Sequence, residues 1–161
     1  STAHKASHTA EVEYNTGLGD VAAQAASLRE NKFPAIAIRN SPGFNGAVEI
    51  LTPSHPFIVC LHGSGKRTTQ VLKDKVSTSK INKAYSQLSS KDFSIPKIIS
   101  SGLLFSRCAE LLSPDLNKIF SSLPNNSTAT VAHLGTAIIA SGDNIQELEK
   151  NLTSYGKLFT F

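Results

Sequence analysis

An aspartate set behind two glycines is the part of this sequence best equipped for chemistry. Thr16-Gly17-Leu18-Gly19-Asp20-Val21 joins a flexible turn to one carboxylate, at the head of the helix-forming stretch Val21-Ala22-Ala23-Gln24-Ala25-Ala26. A carboxylate held there can accept a hydrogen bond from a substrate hydroxyl or help to hold a cation. The same placement suits a helix N-cap, in which Asp20 would accept from the first free backbone amides. Upstream, Glu11 offers a second carboxylate whose oxygens could hold Mg²⁺. Glu13 competes for that role, and either could equally be a solvated helix residue.

A second segment, Gly63-Ser64-Gly65-Lys66-Arg67-Thr68, follows an apolar run and precedes a helical stretch. A nucleotide P-loop would need G-x-x-x-x-G-K-[ST]. Counting back from Gly65 puts Cys60 where the first glycine belongs, and Arg67 replaces the hydroxyl residue that would meet magnesium. The Walker pattern therefore fails at two defining positions. Anion chemistry is still available, because successive amides at a helix start attract negative charge and Arg67 can grip a carboxylate with two parallel hydrogen bonds. The plainer alternative is a surface arginine on a capped helix. A third glycine segment, His133-Leu134-Gly135-Thr136-Ala137, fits either a site loop or a tight turn.

The stretch Ser7-His8-Thr9-Ala10-Glu11-Val12, a short spacer, Thr16-Gly17-Leu18-Gly19-Asp20-Val21, then Ala22-Ala23-Gln24 resembles the archaeal pantoate kinases, a branch of the GHMP kinases. Their pattern runs A-H-x-A-E-V, spacer, T-G-L-G-D-V-x-A-Q, and Ser7 is a small departure from it. The resemblance implies ATP-dependent phosphorylation of the hydroxyl of pantoate to 4-phosphopantoate, a step toward coenzyme A, with ATP and Mg²⁺ as cofactors. It places Asp20 beside the hydroxyl that is phosphorylated, with Gly17 and Gly19 forming the substrate turn. Arg67-Thr68-Thr69 resembles the R-S-T-like turn of mevalonate kinases, which implies substrate contacts for Arg67 and Thr69. Gly135 and Thr136 resemble the degenerate glycine motif near the GHMP C-terminus, which borders the cleft, although the fuller G-A-G-x-G pattern is lacking. Another small-molecule kinase of mevalonate or homoserine type, or a non-catalytic binding module of the same fold, stays open beside this reading.

The family carries a substrate strand and a glycine/serine-rich phosphate loop ahead of the T-G-L-G-D segment, and neither is found here. The chain is thus expected to match the C-terminal half or more of the family pattern and to be inactive alone. A missing N-terminal segment or a second chain would supply the loop. The sequence also contains no methionine.

Length and charge bound these readings. A chain of 161 residues can bury a real core in one or two small domains. Sixteen basic and twelve acidic residues give a net charge of +4, spread along the chain without interleaved aromatics. That argues against a nucleic-acid partner and for a mild field favouring anionic small-molecule substrates. The longest apolar runs, such as Phe57-Ile58-Val59-Cys60-Leu61, are far too short to span a membrane. The start, Ser1-Thr2-Ala3-His4-Lys5, has no hydrophobic leader, so a cytoplasmic location without membrane partners is expected, and a homodimer is allowed. Cys60 and Cys108 both sit in apolar contexts and read as free buried thiols rather than zinc ligands. His4 and His8 would share a helix face but lack a third ligand.

Local signals sketch the elements. A helix is expected over 2–14, a turn over 15–19 and a helix over 20–28. Strands are expected over 33–39 and 47–51, separated by the turn Asn40-Ser41-Pro42-Gly43. Thr52-Pro53-Ser54-His55-Pro56 reads as a boundary, giving domains 1–54 and 55–161. The second should open with a strand over 57–61, then helices over 69–76 and 79–89, one opened by Ile95-Pro96, and one from Ser113-Pro114-Asp115 to about Ser122. A loop is expected over 125–128, a strand over 136–140, a helix over 145–155 and a strand over 158–161. The interleaving predicts an α+β fold with helices on one face of a mostly antiparallel sheet. The family resemblance implies the tail of a GHMP-kinase N-terminal α/β domain followed by a ferredoxin-like α+β C-terminal domain, with the active site between them.

Overall fold

A computed structural model describes residues 5–7, 9–10, 13, 36–39, 48–63, 68–88, 94–132 and 137–161; of Arg39, Val48, Thr68, Thr69 and Leu72 it describes the backbone alone. The chain divides into two compact units, Ser1–Pro53 and Ser54–Phe161. In the first, residues 5–7, 9–10 and 13 are helical, and the Thr9 hydroxyl donates back to the Lys5 carbonyl at 2.9 Å. Strands β1 (Ile36–Arg39) and β2 (Val48–Leu51) pair antiparallel, with Ile36 opposite Leu51 and Arg39 opposite Val48. The turns expected over 15–19 and 40–43 and the helix expected over 20–28 lie outside the described residues.

The second unit opens with β3 (Ile58–Leu61), then α1 (Thr68–Lys73), α2 (Lys75–Ser86), α3 (Ile95–Cys108) and α4 (Pro114–Ser121). It continues with β4 (Ser127–Val131), β5 (Ala137–Gly142), α5 (Ile145–Leu152) and β6 (Lys157–Thr160). The four strands stand in the order β4-β5-β3-β6, and every neighbouring pair is antiparallel. With α4 before the second strand and α5 before the fourth, this is ferredoxin-like topology, enlarged by three helices after the first strand. The fold is α+β, as the alternation of elements predicts.

Local chemistry sets the helix ends. Asp74 accepts from the amides of Val76 and Ser77 at 3.2 and 3.1 Å, which starts α2 at Lys75 and breaks the helix expected over 69–76. Those bonds, led by the Ser77 hydroxyl, hold the Asp74 carboxyl below its ordinary range. Pro96 stands in the first turn of α3, where its missing N–H costs nothing. Ser113 caps α4 by accepting from the Leu116 amide at 3.2 Å, and Asn144 caps α5 by accepting from Glu147 at 3.1 Å. The α3 end is closed by Leu111 N–H to the Ser106 carbonyl at 2.9 Å, with Glu110 in the left-handed region at φ 53° and ion-paired to Lys80.

One face of the sheet carries Ile58, Cys60, Ala129, Val131, Ile138 and Ala140, packed against Leu116 and Ile119 of α4 and Leu148 and Leu152 of α5. The other face is partly covered by α3. A Cβ on Gly102 would lie 2.8 Å from Thr130 Oγ1, a hydroxyl that is buried and has no hydrogen-bond partner among the described residues. Helices therefore lie on both faces, not one, because Gly102 lets α3 approach β4 from the side opposite α4 and α5. A smaller cluster of Ala84, Phe105 and Ala109 joins α2 to α3.

Two further expectations are corrected. Ser127-Thr128 belongs to strand β4 rather than a loop, since it pairs with Gly142 and Ser141 of β5. Of the two thiols, Cys60 is buried but Cys108, at the end of α3, is exposed.

Candidate functional site

Asp20, Gly17, Gly19, Glu11, Arg67, Gly135 and Thr136 lie outside the described residues, and Thr69 is described only as a backbone position in the first turn of α1. What the structure does place are the flanks of two of these segments. Strand β3 leads out through Leu61, His62 and Gly63 toward Arg67, and β5 begins at Ala137, directly after Gly135 and Thr136. Leu61 and Ala137 are register partners. Leu61 also faces Lys157 at the start of β6, and the Ala132 amide donates to the Ala137 carbonyl at 2.8 Å. The flanks of the arginine segment, the Gly135 segment and the α5–β6 turn thus meet at one end of the sheet.

That end is held by contacts made far apart in sequence. A Cβ on Gly156 would sit 1.9 Å from the Leu61 carbonyl oxygen, so only glycine lets the α5–β6 turn lie against β3. His62 Nδ1 lies 3.0 Å from the Tyr155 carbonyl oxygen, and its ring meets the Tyr155 ring edge-on with centroids 6.4 Å apart. A carbonyl only accepts, so Nδ1 carries the proton. In the neutral ring Nε2 is then an acceptor without a partner among the described residues, on a half-buried His62 that precedes the segment leading to Arg67. The sequence signal for His62 is a histidine between an apolar strand and a glycine-rich segment. The partner that orients it is 93 residues away. Gly63 follows at φ 70°, a left-handed turn natural to glycine.

Cys60, beside this end, is not equipped as a nucleophile. Burial pushes its thiol up, and it points at the Leu152 carbonyl at 3.7 Å. Among the described residues no group of three or more His, Cys, Asp or Glu could hold a metal ion, and no helix is long and apolar enough to cross a membrane. A cavity of about 230 Å³ opens elsewhere, between α3, the end of α4 and the edge strand β4.

No protein-family model and no curated protein matches the chain. Among solved structures it is similar to a protein described as a phosphotransferase related to the CoA biosynthesis pathway. That likeness has a TM-score of 0.65 at 21% identity and covers 99% of this chain and 53% of that one. The two share a fold, and this chain spans about half the length of that structure.

Proposed function

We propose that this chain is the C-terminal half or more of a GHMP-type kinase that transfers the γ-phosphoryl group of ATP to the hydroxyl of pantoate. The observation that carries the proposal is the fold it shares, over 99% of its length, with a protein described as a phosphotransferase related to the CoA biosynthesis pathway. The Thr16–Asp20 pattern supports it independently. Phosphoryl transfer asks a protein for alignment and charge stabilisation more than for covalent chemistry. Asp20 would orient the attacking hydroxyl or take its proton, with Gly17 and Gly19 letting the backbone approach the substrate. Arg67 and Thr69 would anchor the carboxylate, and Gly135 and Thr136 would border the nucleotide. Glu11 would supply an oxygen ligand to Mg²⁺. The glycine/serine-rich phosphate loop is not among these 161 residues, so a segment or chain supplied separately would hold the nucleotide phosphates. Such an enzyme would work in the cytoplasm on a small hydroxy acid.

The test is an assay of the full-length protein with ATP and Mg²⁺ against pantoate, mevalonate and homoserine. Pantoate should give the highest kcat/KM. Preference for either of the others would move the chain to another branch of the superfamily. Absence of phosphoester product from all three would leave a binding module that kept the fold.

A further inference from the structure

We propose that the cavity between α3 and β4 is a binding site for a small amphipathic carboxylate, a short-chain acyl acid whose carboxylate is gripped by Arg107. The site is independent of the phosphotransfer reading. Its walls come from α3, the end of α4 and the edge strand β4, which set polar groups beside apolar ones. Leu103, Phe120 and Leu123 supply the apolar surface, and Leu104, 48% exposed, extends it to the rim. Arg107 and Thr128 supply the donors.

Arg107 is available because its neighbours are committed elsewhere. Glu110, three residues on, is ion-paired with Lys80, and Arg107 has no ion-pair partner among the described residues. A negative ligand beside a helix C-terminus would ordinarily meet exposed carbonyls. Here the Phe105, Ser106 and Arg107 carbonyls already accept from the Ala109, Leu111 and Glu110 amides at 2.9, 2.9 and 3.0 Å, which blunts that repulsion. Thr128 makes no side-chain hydrogen bond among the described residues. Strand β4 pairs only with β5 among the described residues; the Ser127 amide donates to the Pro124 carbonyl and the register turns the Thr128 amide toward β5, so the outward N–H at the cavity is that of Ala129. A volume of about 230 Å³ admits a ligand of a few carbons and not a nucleotide. A guanidinium, a hydroxyl and the Ala129 amide next to an apolar wall match an anion carrying a short hydrocarbon tail.

The experiment is a titration of the ¹⁵N-labelled full chain with sodium butanoate at constant ionic strength, followed by amide shifts. Saturable shifts are expected at Leu103 and Thr128, with half-saturation at about 10 mM or below. Arg107→Gln should weaken binding about tenfold or more, and Arg107→Lys should recover part of it. Butylammonium chloride should leave these amides unmoved. Absent or unsaturable shifts with butanoate, equal affinity in Arg107→Gln, or equal binding of butylammonium would each overturn the proposal. Arg107 is exposed, so the unperturbed remainder of the spectrum verifies that the variants fold.

Discussion

On one face of the four-stranded sheet, Ile58, Cys60, Ile138 and Ala140 are completely buried beneath Leu148 and Leu152, which are buried as well. On the other, Leu61 is 46% and Phe159 39% exposed, and Thr130 keeps a buried hydroxyl with no partner among the described residues. Both faces belong to the same strands and differ only in the parity of the residue. The first is closed by α4 and α5 around the larger of the two buried apolar clusters among the described residues. The second is covered in part by α3, whose Gly102 lies close against the Thr130 side chain of β4. Polar groups without partners among the described residues collect where packing is incomplete: the Thr130 hydroxyl and Arg107 belong to that side or its rim, as does the exposed Phe159.

Substitutions can break this contrast, and equilibrium urea unfolding reads each of them. Leu148→Ala empties the closed face and should cost about 3–4 kcal/mol, the largest effect of the set. A loss under about 1 kcal/mol would mean that face is not the core. Gly156→Ala forces a methyl into the Leu61 backbone, which cannot yield as a side chain can, and should cost about 2–3 kcal/mol. On the open face, Thr130→Val keeps the shape and removes the unpaired hydroxyl, so it should stabilise by about 1 kcal/mol. A comparable loss would show that the hydroxyl is bonded. Gly102→Ala also crowds Thr130, but against a side chain that can rotate. A gain of about 1 kcal/mol in helix propensity offsets the strain, so the net change should stay within about 1 kcal/mol of zero.

The last effect lies away from the sheet, at the Asp74 cap. Its carboxyl is held below the ordinary aspartate value of 3.8 in the fold. Its contribution is therefore complete above the unfolded pKa and is lost as pH falls through the lower, folded one. Asp74→Ala should lower the unfolding midpoint at neutral pH, and the gap to the unmutated chain should close in acid. A gap that stays constant down to pH 2 would contradict the cap.

Sequence reasoning succeeded where the physics is local. Ser113-Pro114 and Ile95-Pro96 mark helix starts because a capping hydroxyl and a fixed φ act within a few residues. The alternation of strands and helices was enough to indicate the α+β class. The break at Asp74 was missed because helical composition continues through it, and only its side-chain bonds to Val76 and Ser77 show the stop. No strand was expected over Ser127–Val131, because Ser127-Thr128 is small and polar and the segment becomes strand only by pairing with β5. Gly156 against Leu61, Gly102 against Thr130 and His62 on Tyr155 are tertiary contacts with no local signature. Of the candidate site, the Thr16–Asp20 pattern lies outside the described residues, and the register that sets Leu61 beside Ala137 has no local signal in the sequence.

Under the proposed function, Asp20 serves phosphoryl transfer rather than capping a helix. This claim is tested most directly by measuring kcat with pantoate and the affinity for ATP in the full-length protein and its Asp20→Asn variant. The claim predicts a fall in kcat of about a hundredfold or more with ATP affinity nearly unchanged. Equal kcat in the two proteins, with a lower unfolding midpoint in the variant, would contradict it and leave the aspartate as a cap.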